Sequence, residues 1–214
     1  MSKKIAVLGA TGMTGRRIVE EALAQGYSVC ALARDPNKLT VTHASLEIIQ
    51  GDVANTGAIH KLVEGCNAVI SAAGPANKAV AKAMVCSTAA KNVIAAMKAA
   101  GVKRYIVISG ASVKMPSDRR DFSGKMIAIL GSLMLGDVVK DKQQEYELLN
   151  ESNLDWTLVR CPAIKDEDDN GEVKINIQTV AGMTVFTKPL ARFLIGQITD
   201  TSYVKKGLFV ASAE

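Results

Sequence analysis

The fold of this chain is decided by the stretch Ile5-Ala6-Val7-Leu8-Gly9-Ala10-Thr11-Gly12-Met13-Thr14-Gly15. Its four apolar residues predict a strand, its glycines are spaced G-x-x-G-x-x-G, and a helix is predicted over residues 14–25. In such a loop the first glycine permits a tight turn, the second lets the backbone approach a pyrophosphate, and the third lets the helix pack closely on the sheet. The helix N-terminus adds free N–H groups, and Thr11 and Thr14 can add hydroxyl donors. The stretch therefore predicts a phosphate loop for a dinucleotide over residues 9–15, with a ligand-free structural turn as the alternative.

Short apolar runs alternate with helical patterns along the rest of the chain. Strands are predicted over residues 5–8, 28–32, 46–50, 68–71, 105–109, 156–160 and 208–210. Further helices are predicted over residues 55–63, 78–99, 137–151 and 189–198, with Thr187 as N-cap of the last. Uncharged strands of nearly continuous apolar content are typical of a parallel sheet covered on both faces. The pattern predicts an α/β fold over residues 1–214, a single Rossmann-type, doubly wound parallel sheet with helices on both faces.

Composition narrows the class of protein. With 48% hydrophobic and 22% charged residues the chain is typical of a soluble globular protein. Its net charge of +5 is spread along the chain, which favours an anionic small ligand over a nucleic-acid partner. Four cysteines without C-x-x-C spacing and two histidines predict no metal site and free thiols. The sequence shows neither a signal peptide nor a membrane span, so the expectation is a cytoplasmic protein that does not enter a membrane.

The end of the second predicted strand bears on cofactor choice. An NAD-preferring site places Asp or Glu there to bind the ribose hydroxyls, but this chain has Ala33 followed by Arg34. A guanidinium suits a ribose 2′-phosphate, and Lys38 could assist. Asp35 precedes a proline and is expected to start a turn. The segment predicts NADP(H), with a solvated Arg34 as the alternative.

Several segments resemble one known family. They are the glycine loop, residues 33–36, Gly51-Asp52-Val53, Ser109-Gly110-Ala111 and Leu154-Asp155-Trp156-Thr157-Leu158-Val159-Arg160-Cys161-Pro162. Together they resemble the atypical short-chain dehydrogenase/reductases of the NAD(P)-binding, NmrA-like and flavin/biliverdin-reductase-like subgroup. The similarity covers nearly the whole chain.

The resemblance implies a role for each matching residue. Asp52 and Val53 would flank the adenine, and Ala72, Ala73 and Gly74 would border a cofactor ribose. Ser109, followed by Gly110, would face the nicotinamide, and Lys142 would contact the nicotinamide ribose. These two, Ser109 and Lys142, are the candidate catalytic residues. The nicotinamide would be covered by Cys161, Pro162, Ala163 and Ile164, and substrate-covering segments are expected at about residues 112–136 and 161–188.

The chain departs from the family pattern at two positions. Typical short-chain enzymes carry a proton-donating Tyr four residues before the Lys, where this chain has Val138, and no Tyr-x-x-x-Lys occurs anywhere. The flavin/biliverdin reductases carry a His where this chain has Ala163. Hydride transfer to a flavin or quinone needs little help from a protein acid, because the acceptor is itself an electron sink.

Three functions follow as hypotheses. The first is an NADPH-dependent oxidoreductase that acts on a small planar acceptor, as a monomer or homodimer. The second is a non-catalytic NADP(H)-binding sensor that regulates a protein partner. A sugar-nucleotide epimerase or dehydratase is the third. The apolar segment 126–135 is interpreted as buried core or a covering loop, with an apolar roof over the substrate as the alternative, and the acidic run 166–169 as a solvated loop.

Overall fold

The computed structural model describes residues 3–75, 83–119, 122–167 and 170–213, with backbone only for residues 122–135. Ten strands are described: β1 (Lys4–Leu8), β2 (Ser28–Ala33), β3 (Leu46–Gln50), β4 (Ala68–Ser71), β5 (Arg104–Gly110), β6 (Asp155–Cys161), β7 (Ala163–Lys165), β8 (Val173–Asn176), β9 (Thr184–Phe186) and β10 (Lys206–Ser212). The helices are α1 (Met13–Ala24), α2 (Thr56–Val63), α3 (Val85–Ala100), α4 (Phe122–Glu151) and α5 (Thr187–Gly196), and a 3-10 turn spans Pro36–Lys38.

The main sheet has the strand order β3-β2-β1-β4-β5-β6-β10-β8, and β7 pairs with β9 in a separate two-stranded sheet. All pairs of the main sheet are parallel except the one between β10 and the edge strand β8. The strand order reverses between β1 and β4, and ligands of open α/β sheets bind beyond the carboxyl ends of the strands at such a point. The predicted doubly wound α/β fold is confirmed, and its reversal point lies directly beside the glycine loop.

The central strands β1, β2, β4 and β5 are buried on both faces, which explains why they are largely apolar. Along β1, Ala6 and Leu8 pack in one core cluster with α2 and α3, whereas Ile5 and Val7 pack in the other with α1 and α5. Successive side chains of a strand point to opposite faces, so both faces need apolar residues.

The structure differs from the predicted elements in the second half of the chain. Helix α4 begins at Phe122 rather than at residue 137, so the apolar segment 126–135 is part of this helix and not a loop before it. Its side chains lie outside the described residues, as do residues 78–82 of the helix predicted from residue 78. Three short strands, β7, β8 and β9, were not predicted, because their three or four residues are too few to show a period.

The predicted cap of the last helix is also wrong. Phe186 is the N-cap of α5, and Thr187 is its first residue. The Thr187 hydroxyl donates instead to Asp166 Oδ1 at 2.8 Å, because the fold brings this carboxylate, 21 residues earlier in the chain, next to the start of α5.

Candidate cofactor-binding site

The glycine loop lies at the carboxyl end of β1 and is shaped by close contacts between backbones. Gly9 has a φ of 71°, and a Cβ on it would lie 2.5 Å from the carbonyl oxygen of Ala72. A Cβ on Gly15 would collide with the Gly9 carbonyl. The Gly12 N–H donates to Gly9 O at 2.9 Å, and Gly12 is the N-cap of α1 without a side-chain acceptor of its own. The first N–H groups of α1 therefore remain available for an anion, as a phosphate loop requires.

A cavity of about 590 Å³ opens beside this loop. It is formed by the carboxyl ends of β1, β2, β3 and β4 and by the start of α3. The predicted residues that line it are Gly9, Thr11, Gly12, Met13, Thr14, Gly15, Arg34, Asp52, Val53, Ala72, Ala73 and Gly74. The cavity thus brings together, in one place, motifs that follow four different strands.

Other lining residues were given no role in the sequence analysis: Leu32, Gly51, Ala54, Pro75, Ala83, Val85 and Thr88. The first four are neighbours of predicted positions and could have been found by extending each motif. The last three precede or begin α3, and nothing in their local sequence places that helix start against the glycine loop.

Several predicted site residues do not line this cavity. Ala10 is buried beneath the loop, and Lys38 is exposed at the end of the 3-10 turn. The remaining ones belong to β5, α4 and the segment that follows β6: Ser109, Gly110, Lys142, Cys161, Pro162, Ala163 and Ile164. The cavity therefore brings together most of the residues predicted for the adenosine and the phosphates, whereas those predicted for the nicotinamide do not line it.

Arg34 is the charged group expected to bear on cofactor choice. Its side chain is exposed at the end of β2 and lines the cavity, and no ion pair to it occurs among the described residues. The neighbouring Asp35 accepts a hydrogen bond from Asn37 N at 3.1 Å, so it starts the turn as predicted and does not face the cavity. The cavity edge consequently presents a guanidinium where an NAD-preferring site presents a carboxylate.

The loop after β3 is held from two sides. Asp52 Oδ1 accepts from Ala54 N at 3.0 Å, so this carboxylate shapes a turn while it also lines the cavity. Asn92, from the middle of α3, donates its side-chain N–H to Val53 O at 2.8 Å. This amide supports the wall expected to flank the adenine, a role that only the packing of α3 reveals.

Ser109 and Cys161 lie near the carboxyl ends of β5 and β6. Ser109 is buried, it pairs across the strands with Arg160, and its hydroxyl has no hydrogen-bond partner within the described part of the chain. Burial raises the pKa of the Cys161 thiol to about 12, so this cysteine stays a neutral thiol near pH 7. The role that the resemblance implies for Ser109, to face the nicotinamide, stays a prediction; its hydroxyl lies at the carboxyl end of β5 and has no protein partner among the described residues.

Lys142 is buried, and its ammonium group is already saturated. Nζ donates to Ala73 O at 3.1 Å, to Ile108 O at 2.8 Å and to Glu145 Oε2 at 2.9 Å. Burial acts to lower the pKa of Lys142, but the Glu145 carboxylate more than offsets it, and the pKa lies above its ordinary value. A charged ammonium has three protons to donate, and each one has an acceptor inside the protein. A ribose hydroxyl would have to displace one of these acceptors.

Asp141, the residue before Lys142, was not identified from the sequence. Its carboxylate accepts from the backbone N–H groups of Cys86 and Ser87, both at 2.8 Å, and from the Ser87 hydroxyl at 2.6 Å. It therefore caps the first turn of α3 from a distant helix.

The predicted covering segments are held by one buried ion pair and by an exposed carboxylate that pairs with two arginines. Arg160 Nη1 donates to Asp118 Oδ1 at 2.7 Å, and the guanidinium lies 3.8 Å from the centre of the Phe209 ring. Asp166 accepts from Arg16 at 3.1 Å and from Arg17 at 3.3 Å. Asp166 and Glu167 are exposed, as the interpretation of residues 166–169 as a solvated loop expects, and residues 168 and 169 lie outside the described residues. The sequence did not predict that Asp166 also pairs with two arginines of α1.

The described residues contain no group of three or more His, Cys, Asp or Glu side chains arranged to hold a metal ion. Within the same ranges, no helix has the length and apolar character needed to cross a membrane. All four cysteines are buried free thiols.

Comparisons with known proteins agree with this geometry. A family model described as NAD(P)H-binding matches residues 9–201. An uncharacterised chloroplastic protein of Arabidopsis thaliana is 28% identical over 208 residues, which cover 92% of this chain and 70% of that protein. A (4-alkanoyl-5-oxo-2,5-dihydrofuran-3-yl)methyl phosphate reductase of Streptomyces griseus is 28% identical over 156 residues, or 73% of this chain and 46% of the reductase. This chain therefore matches less than half the length of that enzyme.

Among solved structures, a short-chain dehydrogenase/reductase of Veillonella parvula in complex with NADP has a similar fold. Its TM-score is 0.80 at 18% identity, and the match covers 99% of this chain and 95% of that one. At this identity the likeness concerns the fold alone.

Proposed function

The chain belongs to the NAD(P)H-binding family, as the resemblance predicted, and from this premise we propose that it is an NADPH-dependent oxidoreductase acting on a small planar acceptor such as a flavin or quinone. The observation that carries the proposal is Arg34, an exposed guanidinium on the edge of the cavity beside the glycine loop. A guanidinium binds a phosphate through two charge-assisted hydrogen bonds. Its contact with an uncharged ribose hydroxyl is much weaker. The fold itself can hold the phosphorylated cofactor, since the Veillonella parvula structure contains NADP.

The chain's own residues supply binding and orientation. The first turn of α1 would hold the pyrophosphate, Arg34 the 2′-phosphate, and the turn at Asp52 would flank the adenine. Ser109, whose buried hydroxyl has no partner in the described residues, would orient the nicotinamide or the acceptor. Bound NADPH would supply a hydride, which carries two electrons to the acceptor, and the acceptor would take its proton from solvent.

The choice of acceptor class follows from the lack of a side chain that could donate a proton to the acceptor. No tyrosine stands four residues before Lys142, and the ammonium of Lys142 is engaged inside the protein. An acceptor that stabilises the added electrons itself does not need these groups, because positioning in a site shielded from water supplies much of the rate. Flavins and quinones satisfy this condition better than simple carbonyl compounds.

The test is to titrate the protein with NADPH and NADH, and then to follow NADPH oxidation against a panel of flavins, quinones and small carbonyl compounds. Turnover with a planar acceptor and not with simple carbonyls is the expected result. Binding of NADPH without turnover on any member of the panel would contradict the oxidoreductase.

Arg34→Ala tests the cofactor assignment. The variant is expected to bind NADPH roughly tenfold or more weakly and NADH with unchanged affinity, since only NADPH carries the 2′-phosphate. The matched control is Lys61→Ala, which removes an exposed positive charge from α2 away from the cavity. Equal losses for both nucleotides would show that Arg34 does not read the 2′-phosphate.

A second candidate is the non-catalytic NADP(H) sensor. The observation in its favour is that Lys142 is engaged inside the protein while the position of the proton-donating tyrosine holds Val138. A sensor would bind NADPH without oxidising it, and its affinity for a protein partner would change between the free and the nucleotide-bound form.

A further inference from the structure

We infer that one turn of helix α4, which carries Asp141, Lys142 and Glu145, positions the wall of the cofactor cavity, and that Lys142 is a positioning residue for the adenosine half rather than a ligand of the nicotinamide ribose. The inference rests on the cofactor binding assigned under the proposed function, and it does not depend on which acceptor is reduced.

The first observation is where the Lys142 ammonium lies along the sheet. Strands β4 and β5 are paired from Ala68 and Arg104 up to Ser71 and Val107. The two acceptors of Nζ are Ala73 O, two residues beyond Ser71, and Ile108 O, one residue beyond Val107. The ammonium therefore connects the two backbones just beyond the last pair of β4 and β5, and we expect it to set the width of the gap between them.

This gap borders both halves of the predicted site. Ala73 lines the cavity, and its neighbour Ala72 packs against Gly9 so closely that a Cβ on Gly9 would lie 2.5 Å from Ala72 O. A shift of Ala73 would consequently move the backbone on which the phosphate loop rests. Ile108 immediately precedes Ser109, so the same ammonium also fixes the main chain that carries this hydroxyl.

Asp141 holds a second wall from the same helical turn. By accepting from the N–H groups of Cys86 and Ser87 it fixes the first turn of α3, whose Val85 and Thr88 line the cavity. Since these N–H groups are bound by a carboxylate of the protein, they are not available to a cofactor phosphate. The start of α3 is therefore a wall of the cavity, and the phosphate-binding helix is α1.

Glu145 completes the arrangement. It is fully buried, and its Oε2 accepts from Lys142 Nζ at 2.9 Å. A buried ammonium without a counter-charge would tend to lose its proton and with it one donor. The carboxylate thus keeps Lys142 charged, with all three protons committed to Ala73, Ile108 and Glu145 itself.

The two roles of Lys142 predict different effects on two ligands. Adenosine 2′,5′-bisphosphate has the adenine, its ribose and the 2′-phosphate of NADPH but lacks the nicotinamide ribose. Loss of a contact to the nicotinamide ribose would weaken NADPH and leave the bisphosphate unchanged. Loss of the cavity wall would weaken both ligands by the same factor.

The experiment is calorimetric titration of Lys142→Met with NADPH and with adenosine 2′,5′-bisphosphate. We expect the dissociation constants of both ligands to rise by a similar factor, about tenfold. A loss confined to NADPH would overturn the inference in favour of the ribose contact. Unchanged affinity for both ligands would overturn it as well, since the wall would then stand without the ammonium.

A matched control separates positioning from a general loss of stability. Arg104 is another buried cation that donates to backbone carbonyls, those of Gln197 at 2.8 Å and Asp155 at 2.7 Å, but it begins β5 at the opposite end of the sheet. Arg104→Met is expected to lower the melting temperature and to leave both affinities unchanged. Equal losses of affinity in Arg104→Met and Lys142→Met would contradict a specific role for Lys142.

A second variant covers the case in which Lys142→Met does not fold. Lys142→Met combined with Glu145→Met removes both members of the buried ion pair, an exchange that proteins often tolerate when the volume is kept. The same joint loss of affinity is expected of this double variant. A wild-type protein that binds both ligands but reduces no acceptor would refute the proposed enzyme, while the comparison of affinities would still decide the role of Lys142.

Discussion

The predicted adenosine side and the predicted nicotinamide side of the candidate site consist of different kinds of chemical groups. On the adenosine side, a cavity of about 590 Å³ is lined largely by glycines, small residues and main chain after β1, β2, β3 and β4, with Arg34 as an exposed cation at its edge. Beyond this cavity, towards the predicted nicotinamide side, Ser109, Lys142 and Glu145 are buried side chains that do not line it, and Lys142 reaches back to Ala73 O in the cavity wall. One side offers space and backbone donors, whereas on the other Lys142 and Glu145 are engaged with each other in a buried ion pair.

This difference indicates which part of the protein is shared with other members of its family and which part is specific to this chain. A loop that works through backbone N–H groups and missing Cβ atoms can bind the same phosphates in many proteins of one family. The other side depends on contacts such as Lys142 with Ile108 and Arg160 with Asp118, which join residues 34 and 42 positions apart in the chain. The acceptor or partner that distinguishes this protein from its relatives is therefore to be sought on the nicotinamide side.

Among the variants that test this comparison, Gly15→Ala is expected to have the largest effect. Because a Cβ at this position would collide with the Gly9 carbonyl, the loop and the start of α1 must move apart. NADPH binding is expected to fall about 100-fold or more, the scale seen when binding groups are displaced by about an ångström. Isothermal titration measures it, with Gly196→Ala as the control, since a Cβ there meets nothing within 4 Å. Normal NADPH affinity in Gly15→Ala would show that the loop does not hold the phosphates.

An intermediate effect is expected from Ser109→Ala on the other side. Removal of a buried hydroxyl without a partner in the described residues should leave the melting temperature unchanged or slightly raised. NADPH affinity should stay within about twofold, while turnover with a planar acceptor should fall about tenfold, the loss associated with one hydrogen bond. Steady-state kinetics and thermal unfolding test both statements. Unchanged turnover would remove Ser109 from the reaction site.

The smallest effect is expected at Asp166, whose carboxylate accepts from Arg16 and Arg17 of α1. The hydrogen bond from Thr187, together with Arg17 and Arg16, holds the pKa of the Asp166 carboxyl below its ordinary value. A carboxylate with a lowered folded-state pKa contributes stability above its unfolded-state pKa of about 4, and this contribution is lost as the pH falls through the folded-state value. Asp166→Asn should therefore be less stable than the wild type at pH 7, by under about 1 kcal/mol because the pair is largely exposed.

Urea unfolding of both proteins across the acid range checks this sign. The difference between wild type and Asp166→Asn should be constant above about pH 4 and should shrink below it. A difference that grows on acidification would show that Asp166 does not gain its stability from the arginines and Thr187.

Much of the fold was predictable, because its signals lie in consecutive residues. The strands from β1 to β6 were predicted within a residue at each end, since a strand buried on both faces is recognisable from its apolar run alone. Helix α4 was predicted to begin 15 residues too late, at residue 137 rather than Phe122, because segment 126–135 has apolar residues on all sides and shows no helical period. The short strands β7, β8 and β9 depend on partners that sequence patterns do not show.

By itself the sequence determined the phosphate loop, the parallel sheet and the cation at the end of β2. Gly9 and Gly15 are required by local backbone geometry, and Arg34 reaches its place because it directly follows a strand. Only the tertiary structure decided what Lys142 and Asp166 do. Lys142 meets carbonyls 69 and 34 residues away, and Asp166 meets Arg16 across 150 residues. The protonation and the donors of a buried charge depend on whatever the completed fold places around it, which no local pattern in the chain encodes.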